Sequence, residues 1–349
     1  MIKRNKASIP KLIIHKIGNK FNDTRNLFSE KEVVFDEDSY KLMLPFLLKP
    51  FVNVVEAFRF HHHADVNMNE VFNYCKNIFQ DEDSFVEVSK NIVKHLYEQS
   101  NSAQIKTGDV IIALFEDIEY NDVITSAIGV FKIENKINFF QTFIDNSNID
   151  VLVQQGISTK KVDKGCLIVN YTNDDGYVVL SVDNNNYDAQ YWIKNFLNIK
   201  YADDKNNHTK IYMEMCKDFS EEVLKTDYGT QEHSHFLAKT VDYLKENDTV
   251  NIHDFKEEVF EEEKQREEFD AYKKVFESDK DVLVRNQFHV SEVVVKKQKQ
   301  KMKTEIKLDT NIHIKLDIEA PDASSEYLEL GYDEEKKMKY YKVFFNEEV

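Results

Sequence analysis

Hydrophobic and polar residues alternate along the chain with two different periods, and each change of period marks a change of expected structure. Apolar residues recur at helical spacing over residues 36–51, where Pro45 and Pro50 should bend or break the helix, and again after Asn69 and after Ser84. Alternating or continuous apolar runs over residues 105–183 predict strands, helical spacing returns after about residue 187, and strand spacing returns from Val282. We therefore expect an α+β fold with a mixed N-terminal α/β region containing antiparallel strands, a helical middle and a C-terminal β-hairpin region.

Short local patterns predict where the N-terminal elements lie. Lys11–Asn19 is a β-branched run that ends in Gly-Asn, as a strand followed by a turn does, and Lys31–Asp36 is a second short strand or the edge of one. Asn69 is placed to cap a helix, and Ser84 with Glu87 forms the S-x-x-E pattern of a capping box. Two helices should therefore begin directly after Asn69 and Ser84.

The strand region predicts a sheet with a buried centre. Residues 105–120, 123–134 and 137–144 indicate three successive strands, and the first has the continuous apolar core of a strand covered on both faces. Gly165–Tyr171 and Tyr177–Asp183 flank a polar turn, which is typical of a hairpin.

Two domains are expected from these patterns: residues 1–185 as an N-terminal α+β domain, and residues 186–349 as a C-terminal helical region with terminal β-hairpins. The boundary falls where strand spacing gives way to helical spacing. Within the helical region, Asp254–Asp270 has nine acidic and three basic residues, so its thin apolar stripe leaves one face in solvent.

The composition excludes the common nucleotide-binding and hydrolase classes. With 8 glycines and 4 prolines in 349 residues, the chain has little means of wrapping a nucleotide in a glycine-rich loop. The motifs G-x-x-x-x-G-K-[ST], G-x-G-x-x-G, G-x-S-x-G and H-E-x-x-H are all missing from the sequence. We therefore predict no cofactor and no catalytic residue.

The formal net charge of −17, from 63 acidic and 46 basic residues, means that the average electrostatic field repels a polyanion. Contact with nucleic acid therefore requires a local basic patch. The densest positive stretch is KKQKQKMKTEIK, in which one acid, Glu305, stands among the lysines Lys296, Lys297, Lys299, Lys301, Lys303 and Lys307.

Lysines of this kind neutralise backbone phosphates without reading the base sequence. No aromatic residue interrupts the run, so stacking on single-stranded bases is not indicated. A solvated lysine-rich face, or an edge strand protected against aggregation, is the structural alternative. The six lysines are our candidate DNA-binding residues.

Cysteine usage and the N-terminus favour a cytoplasmic protein. The three cysteines, Cys75, Cys166 and Cys216, are odd in number and far apart, which fits a reducing compartment better than a disulfide framework. Cys166 precedes an apolar run, so we expect a buried, unreactive thiol. We find no apolar run of signal-peptide length near the start and no window of about 20 apolar residues that would span a membrane.

Several segments in a fixed order carry a family resemblance: IHKIGN, IKTGDVIIALF, AIGVFKIENK, QQGISTKKVDKGCLIVN, IKLDTNIHIKLD and ELGYDEEKKMKYYKVFFNEE. Together they resemble the bacterial nucleoid-associated proteins of the NdpA/YejK-like family, from about residue 10 to the C-terminus. The resemblance implies a cytoplasmic protein that co-localises with the nucleoid. It implies no established enzymatic chemistry and supplies no catalytic residues.

Two arrangements match metal sites only in part. His61–His63 are three consecutive histidines, and in an extended segment neighbours point to opposite sides, so we predict no metal there. Glu134-Asn135-Lys136, preceded by Asp109, Asp117 or Asp122, is similar to the D…(D/E)-x-K arrangement of metal-dependent nucleases, in which carboxylates hold Mg²⁺. The end of a strand in a polar turn explains the same triplet.

These observations favour a non-enzymatic nucleoid-associated protein that binds DNA or a DNA-bound partner. The alternatives are a protein-interaction adaptor without DNA affinity of its own, which the negative charge favours, and a Mg-dependent nuclease. The expected partners are double-stranded DNA, contacted directly or indirectly, and a DNA-processing protein, with no membrane. The resemblance and the many apolar helices also lead us to expect a homodimer.

Overall fold

The computed structural model describes residues 2–146, 148–173, 176–184, 191–302, 304–316, 328–345 and 347. Contacts along the chain divide it into two compact units, Met1–Ala202 and Asp203–Val349. The expected domains, residues 1–185 and 186–349, stay a prediction, because a division by contacts does not show which part folds on its own.

The first unit contains ten strands and three α-helices among its described residues. A π-helical turn at Tyr191–Leu197 precedes the last of these strands. The strands are β1 (Ile2–Lys3), β2 (Ser8–Ile17), β3 (Phe58–Phe60), β4 (Gly108–Tyr120), β5 (Val123–Ile133), β6 (Lys136–Asp145), β7 (Asn148–Ile157), β8 (Lys164–Asn173), β9 (Gly176–Asp183) and β10 (Ile199–Tyr201). The helices are α1 (Glu37–Leu48), α2 (Glu70–Gln80) and α3 (Phe85–Glu98).

Eight of these strands form one antiparallel sheet in the order β1-β4-β5-β8-β9-β3-β10, with β2 also paired to β4. Strands β6 and β7 form a separate two-stranded sheet. The three successive strands and the later hairpin predicted from the sequence are therefore confirmed, as is the α+β class.

Successive residues of β4 point into two different apolar cores, as the period of a strand requires. Val110, Ile112 and Leu114 pack in a core that includes α2 and α3. Ile111, Ala113 and Phe115 pack in a second core that includes the end of α1. Because each fully buried large apolar side chain contributes about 1.5–3 kcal/mol, this continuous apolar run anchors the sheet between its two helical layers.

The structure corrects two of the local predictions. Lys31–Asp36 forms no strand, although the Val33 N–H donates to the Leu12 carbonyl. Ser84 makes no capping hydrogen bond, because it belongs to a 3₁₀ turn, Glu82–Ser84, from which α3 continues with helical backbone. The Asp81 carboxylate caps that turn instead, while Asn69 caps α2 as predicted.

The second unit is mainly helical, around a core rich in phenylalanine. Its helices are α4 (Lys205–Phe219), α5 (Lys225–Asp227), α6 (Thr230–Glu246), α7 (Ile252–Val259), α8 (Glu263–Lys280) and α9 (Glu292–Lys299), with a π-helical turn at Ser220–Leu224. Its strands pair as β11 (Thr249–Asn251) with β12 (Gln287–His289), β13 (Thr304–Lys307) with β14 (His313–Leu316), and β15 (Leu328–Asp333) with β16 (Met338–Val343). The two predicted C-terminal hairpins are thus present.

The strand spacing predicted from Val282 is wrong over Glu292–Lys299, which is helix α9. Three consecutive valines favour a strand locally, but the packing of Val294 and Val295 against the helical core overrides that preference. In the part of the chain that the structure describes, no helix is long and apolar enough to cross a bilayer.

Candidate nucleic-acid interface

Four of the six predicted DNA-binding lysines lie on or directly after α9. The helix buries Val294, Val295 and Gln298, so the residues between them face outward. Lys296 and the following Lys301 are exposed, whereas the neighbouring lysines at 297 and 299 are half-buried. Three of these cations lie in the last helical turn, where they also offset the negative end of the helix dipole.

The start of α9 is fixed to α4 by two hydrogen bonds. The Ser291 N–H donates to Thr209 Oγ1 at 2.9 Å, and Ser291 Oγ donates to Asn206 Oδ1 at 2.6 Å. Both serine and threonine are buried. The lysines therefore project from a helix that is held rigidly on its core rather than from a loop.

Neither Lys296 nor Lys301 has an ion-pair partner among the described residues. Lys303 lies outside those residues, and Lys307 is described only through its backbone, in β13 opposite His313. The structure thus brings four of the predicted lysines together and leaves the role of all six a prediction.

A cavity of about 450 Å³ lies beside α9 and is lined by α4 and by the C-terminal end of α8. Lys217, Lys280 and Lys301 line it together with two carboxylates, Glu214 and Asp218. Lys280 Nζ lies 3.6 Å from Asp218 Oδ2, and Lys217 Nζ pairs with Glu221, which does not line the cavity, at 3.1 Å. Sequence reasoning missed Lys217 and Lys280, because neither belongs to a local run of basic residues.

Gln298 lines the same cavity and has a buried amide nitrogen without an acceptor within the described structure. The residue is only 3% exposed. Leaving a buried N–H donor unsatisfied costs about 1–3 kcal/mol. The cavity lining therefore combines three cations with two carboxylates.

The residues of the nuclease-like pattern come together only in part. Lys136 Nζ pairs with Asp109 Oδ2 at 2.8 Å, and Glu134 Oε1 pairs with Lys132 Nζ at 3.0 Å. Asp122 pairs instead with Lys3, at the other end of β4 and β5. Over the described ranges, no group of three or more histidine, cysteine or carboxylate side chains could hold a metal ion.

A buried polar cluster lies beside Glu134, where β5 ends and β8 begins. The ammonium groups of Lys132 and Lys164 lie 5.4 and 5.6 Å from the centre of the Tyr191 ring, and Lys132 donates to the Tyr191 hydroxyl at 3.1 Å. Burial lowers the pKa of Lys132. The Asp163 carboxylate accepts the N–H groups of residues 134 and 135 at 2.7 and 3.0 Å. These paired charges order the strand ends.

Cys166 is buried, as the sequence predicts. The burial is complete and raises the pKa of the thiol well above the usual range, so the thiolate is not formed at neutral pH. His61 is half-buried, and burial lowers its pKa. The ring centres of the neighbours His62 and His63 lie 4.2 Å apart with their planes tilted by 37°, so these two side chains do not point to opposite sides as expected.

The model of one protein family, described as nucleoid-associated protein YejK, matches residues 13–339 of the chain. The match covers most of the sequence and includes both units. No curated protein matches the chain. The chain therefore belongs to the nucleoid-associated protein YejK family, which confirms the resemblance drawn from its ordered segments.

Proposed function

We propose that this member of the nucleoid-associated YejK family binds duplex DNA directly and catalyses no reaction on it. The contact is made by an α9 basic surface that consists of Lys296, Lys297, Lys299 and Lys301. The observation that carries the proposal is the gathering of these four cations on a helix fixed to its core. Family membership supports a place in the nucleoid. DNA contact, the role of the lysines and the lack of catalysis are parts of the proposal.

The net charge of −17 does not by itself prevent this contact. At physiological ionic strength the Debye length is about 8 Å, so charges much farther from the phosphates than that are largely screened. The interaction is then governed by the lysines within reach of the duplex. Each neutralised phosphate releases condensed counterions, which supplies a favourable and salt-sensitive contribution to binding.

The cavity beside α9 suits one backbone phosphate. Lys301 belongs to both the α9 basic surface and the cavity lining, and Lys217 and Lys280 add two further ammonium groups, each paired with a carboxylate. Contacts of this kind position a duplex and carry no sequence information.

A non-enzymatic role is supported by the pairing of the acidic residues that a nuclease would need. Asp109 pairs with Lys136 and Glu134 pairs with Lys132, so each carboxylate already has a cationic partner. Two-metal and one-metal nucleases require carboxylates that converge on the ion.

A second candidate function, contact with a basic DNA-bound protein, is favoured by one specific surface. Helix α7 and the first half of α8 bury Phe255, Val259 and Phe269 while their acidic residues point outward. The exposed acids are Asp254, Glu257, Glu258, Glu261, Glu262, Glu263 and Glu267. Such a face would attract a basic partner and repel DNA.

The DNA-binding proposal is tested by neutralising the α9 basic surface. In one variant Lys296, Lys297, Lys299 and Lys301 are changed to Gln, and in a matched control four exposed lysines elsewhere are changed to Gln: Lys31, Lys41, Lys94 and Lys274. Both variants have a formal charge of −17 − 4 = −21. In filter retention of a labelled duplex at low salt, we expect at least tenfold weaker binding for the first variant and less than a twofold change for the control.

Equal losses in the two variants would show that only net charge matters and would reject the α9 basic surface. Full binding by the first variant would also reject it. A wild-type protein that retains no DNA would favour the second candidate, contact with a DNA-bound protein. In parallel reactions with Mg²⁺ the duplex should stay intact, and cleavage would overturn the non-enzymatic part of the proposal.

A further inference from the structure

Strands β6 and β7 form a hairpin arm, Lys136–Ile157, whose apolar side chains are uncovered. In the described part of the chain these two strands pair only with each other, over ten residue pairs. Every described side chain from Lys136 to Gln155 is exposed. An isolated two-stranded hairpin is only marginally stable in water, so an arm of this length needs a surface to pack against.

The register of the hairpin arm separates an apolar face from a mixed face. Directly opposed residues share a face, and faces alternate along each strand. The apolar face presents five large side chains with exposed fractions of 51–80%: Phe140, Ile144, Ile149, Val151 and Val153. On the other face, polar side chains lie among the apolar ones; they are Gln141, Asp145, Asn148, Asp150 and Gln154.

The apolar face is also nearly free of charge in a strongly acidic protein. Lys136, at the base of the arm, is its one charged residue, and that ammonium group is paired with Asp109 at 2.8 Å. A face without charges gives DNA phosphates nothing to bind. It does allow two copies of a chain with a charge of −17 to approach without placing like charges in contact.

We propose that a second copy of this chain covers the apolar face, with the same face of its own hairpin arm stacked against it across a two-fold axis. A two-fold interface uses one self-complementary patch on both copies, and stacked sheets of this kind lie about 10 Å apart. This inference does not depend on the proposed DNA contact, which lies in the other unit.

The exposed area is sufficient for such an interface. With roughly 150 Å² for each large side chain, the five exposed fractions amount to about 500 Å² of apolar surface per copy. Two copies would bury about 1,000 Å² from these side chains alone, which reaches the lower limit of specific interfaces. Polar neighbours such as Thr142 and Gln155 on the same face add to that area.

The proposal is tested by sedimentation equilibrium of the full chain from 1 to 50 µM. We expect the wild-type mass to be twice the 41.2 kDa of one chain. A Phe140→Gln/Ile149→Gln variant should be monomeric, with a dissociation constant raised at least 100-fold. A matched variant of the mixed face, Phe143→Gln/Leu152→Gln, should dimerise within threefold of wild type. All four positions are exposed, so both variants should fold.

Cross-linking provides a second measurement that leaves the apolar residues intact. The three native cysteines are buried, so an introduced cysteine is the accessible thiol. With a short bis-maleimide, Thr142→Cys on the apolar face should give a covalent dimer and Gln141→Cys on the mixed face should not. A wild-type monomer at 50 µM, a dimer insensitive to the apolar-face variant, or equal cross-linking of both cysteines would overturn the proposal.

Discussion

At the scale of single residues, His15 shows how partners distant in the sequence set the protonation state of one titratable group. It lies on β2 and is 1% exposed. Its Nδ1 accepts the Ser29 N–H at 3.0 Å, so the ring proton is on Nε2, which donates to Ser89 Oγ at 2.9 Å. This arrangement satisfies the neutral ring. Burial, and secondarily the charge of Lys90, lower the pKa of His15 to about 4.

The lowered pKa makes the folded state sensitive to acid. In the unfolded chain His15 binds a proton near pH 6.5, whereas in the folded chain it stays neutral to about pH 4. Its contribution to stability is therefore present above pH 6.5 and is lost as the pH falls toward 4. We expect the free energy of unfolding to drop by about 2 kcal/mol from this residue between pH 7 and pH 5.

Urea unfolding at pH 7 and pH 5 measures this effect, with His15→Gln as the reference. The variant removes the titrating ring, so its free energy of unfolding should change less with pH by about the same 2 kcal/mol. An identical pH dependence in both proteins would show that His15 is not held neutral. The sequence predicted that His15 lies in a strand, but its serine partners are 14 and 74 residues away and could not be deduced.

At the scale of elements, two predicted helix caps have different outcomes. Asn69 Oδ1 accepts the Phe72 N–H at 2.9 Å, while its amide donates to the Leu197 carbonyl at 2.9 Å. Ser84 donates to the exposed Asp81 carbonyl and caps nothing. Local pattern predicted both positions equally, because a motif such as S-x-x-E does not show that a 3₁₀ turn precedes the helix.

The two caps should respond differently to substitution by alanine. Asn69→Ala removes a cap and leaves buried carbonyl groups without their donor, so we expect a loss of about 2 kcal/mol or more in the free energy of unfolding. Ser84→Ala should cost less than about 0.5 kcal/mol, as is usual for a surface substitution. Urea unfolding of both variants checks the contrast, and similar losses would contradict the assignment of caps.

The sheet was easier to predict than α9, because its strands have a clear local apolar pattern whereas α9 depends on packing against distant elements. Strand β4 is recognisable from its continuous apolar run, and one of its hydrogen-bonded neighbours, β5, follows it directly along the chain. In α9 the three valines favour a strand, and only packing against α4 and α6 makes a helix of them. Local sequence therefore predicted that the lysines lie close together but not that they lie on a helix.

At the scale of the whole molecule, charge and apolar surface are distributed unevenly. The chain carries a net charge of −17, yet the α9 basic surface and the cavity beside it gather six lysines. The hairpin arm, in the other unit, presents an apolar face with almost no charge. Neither feature could be deduced fully from the sequence. Lys217 and Lys280 come to line the cavity only when the chain folds. The exposure of the hairpin arm depends on which surfaces the rest of the chain covers.

The most direct test of the account is the salt dependence of DNA binding by the unmodified protein. Fluorescence anisotropy of a labelled duplex of mixed sequence would be titrated with the full chain between 50 and 250 mM NaCl. Three to four phosphate contacts predict a slope of about −3 to −4 for the logarithm of the binding constant against the logarithm of salt concentration. An unchanged anisotropy at 50 mM NaCl, with protein in the tens of micromolar, would contradict direct binding of DNA.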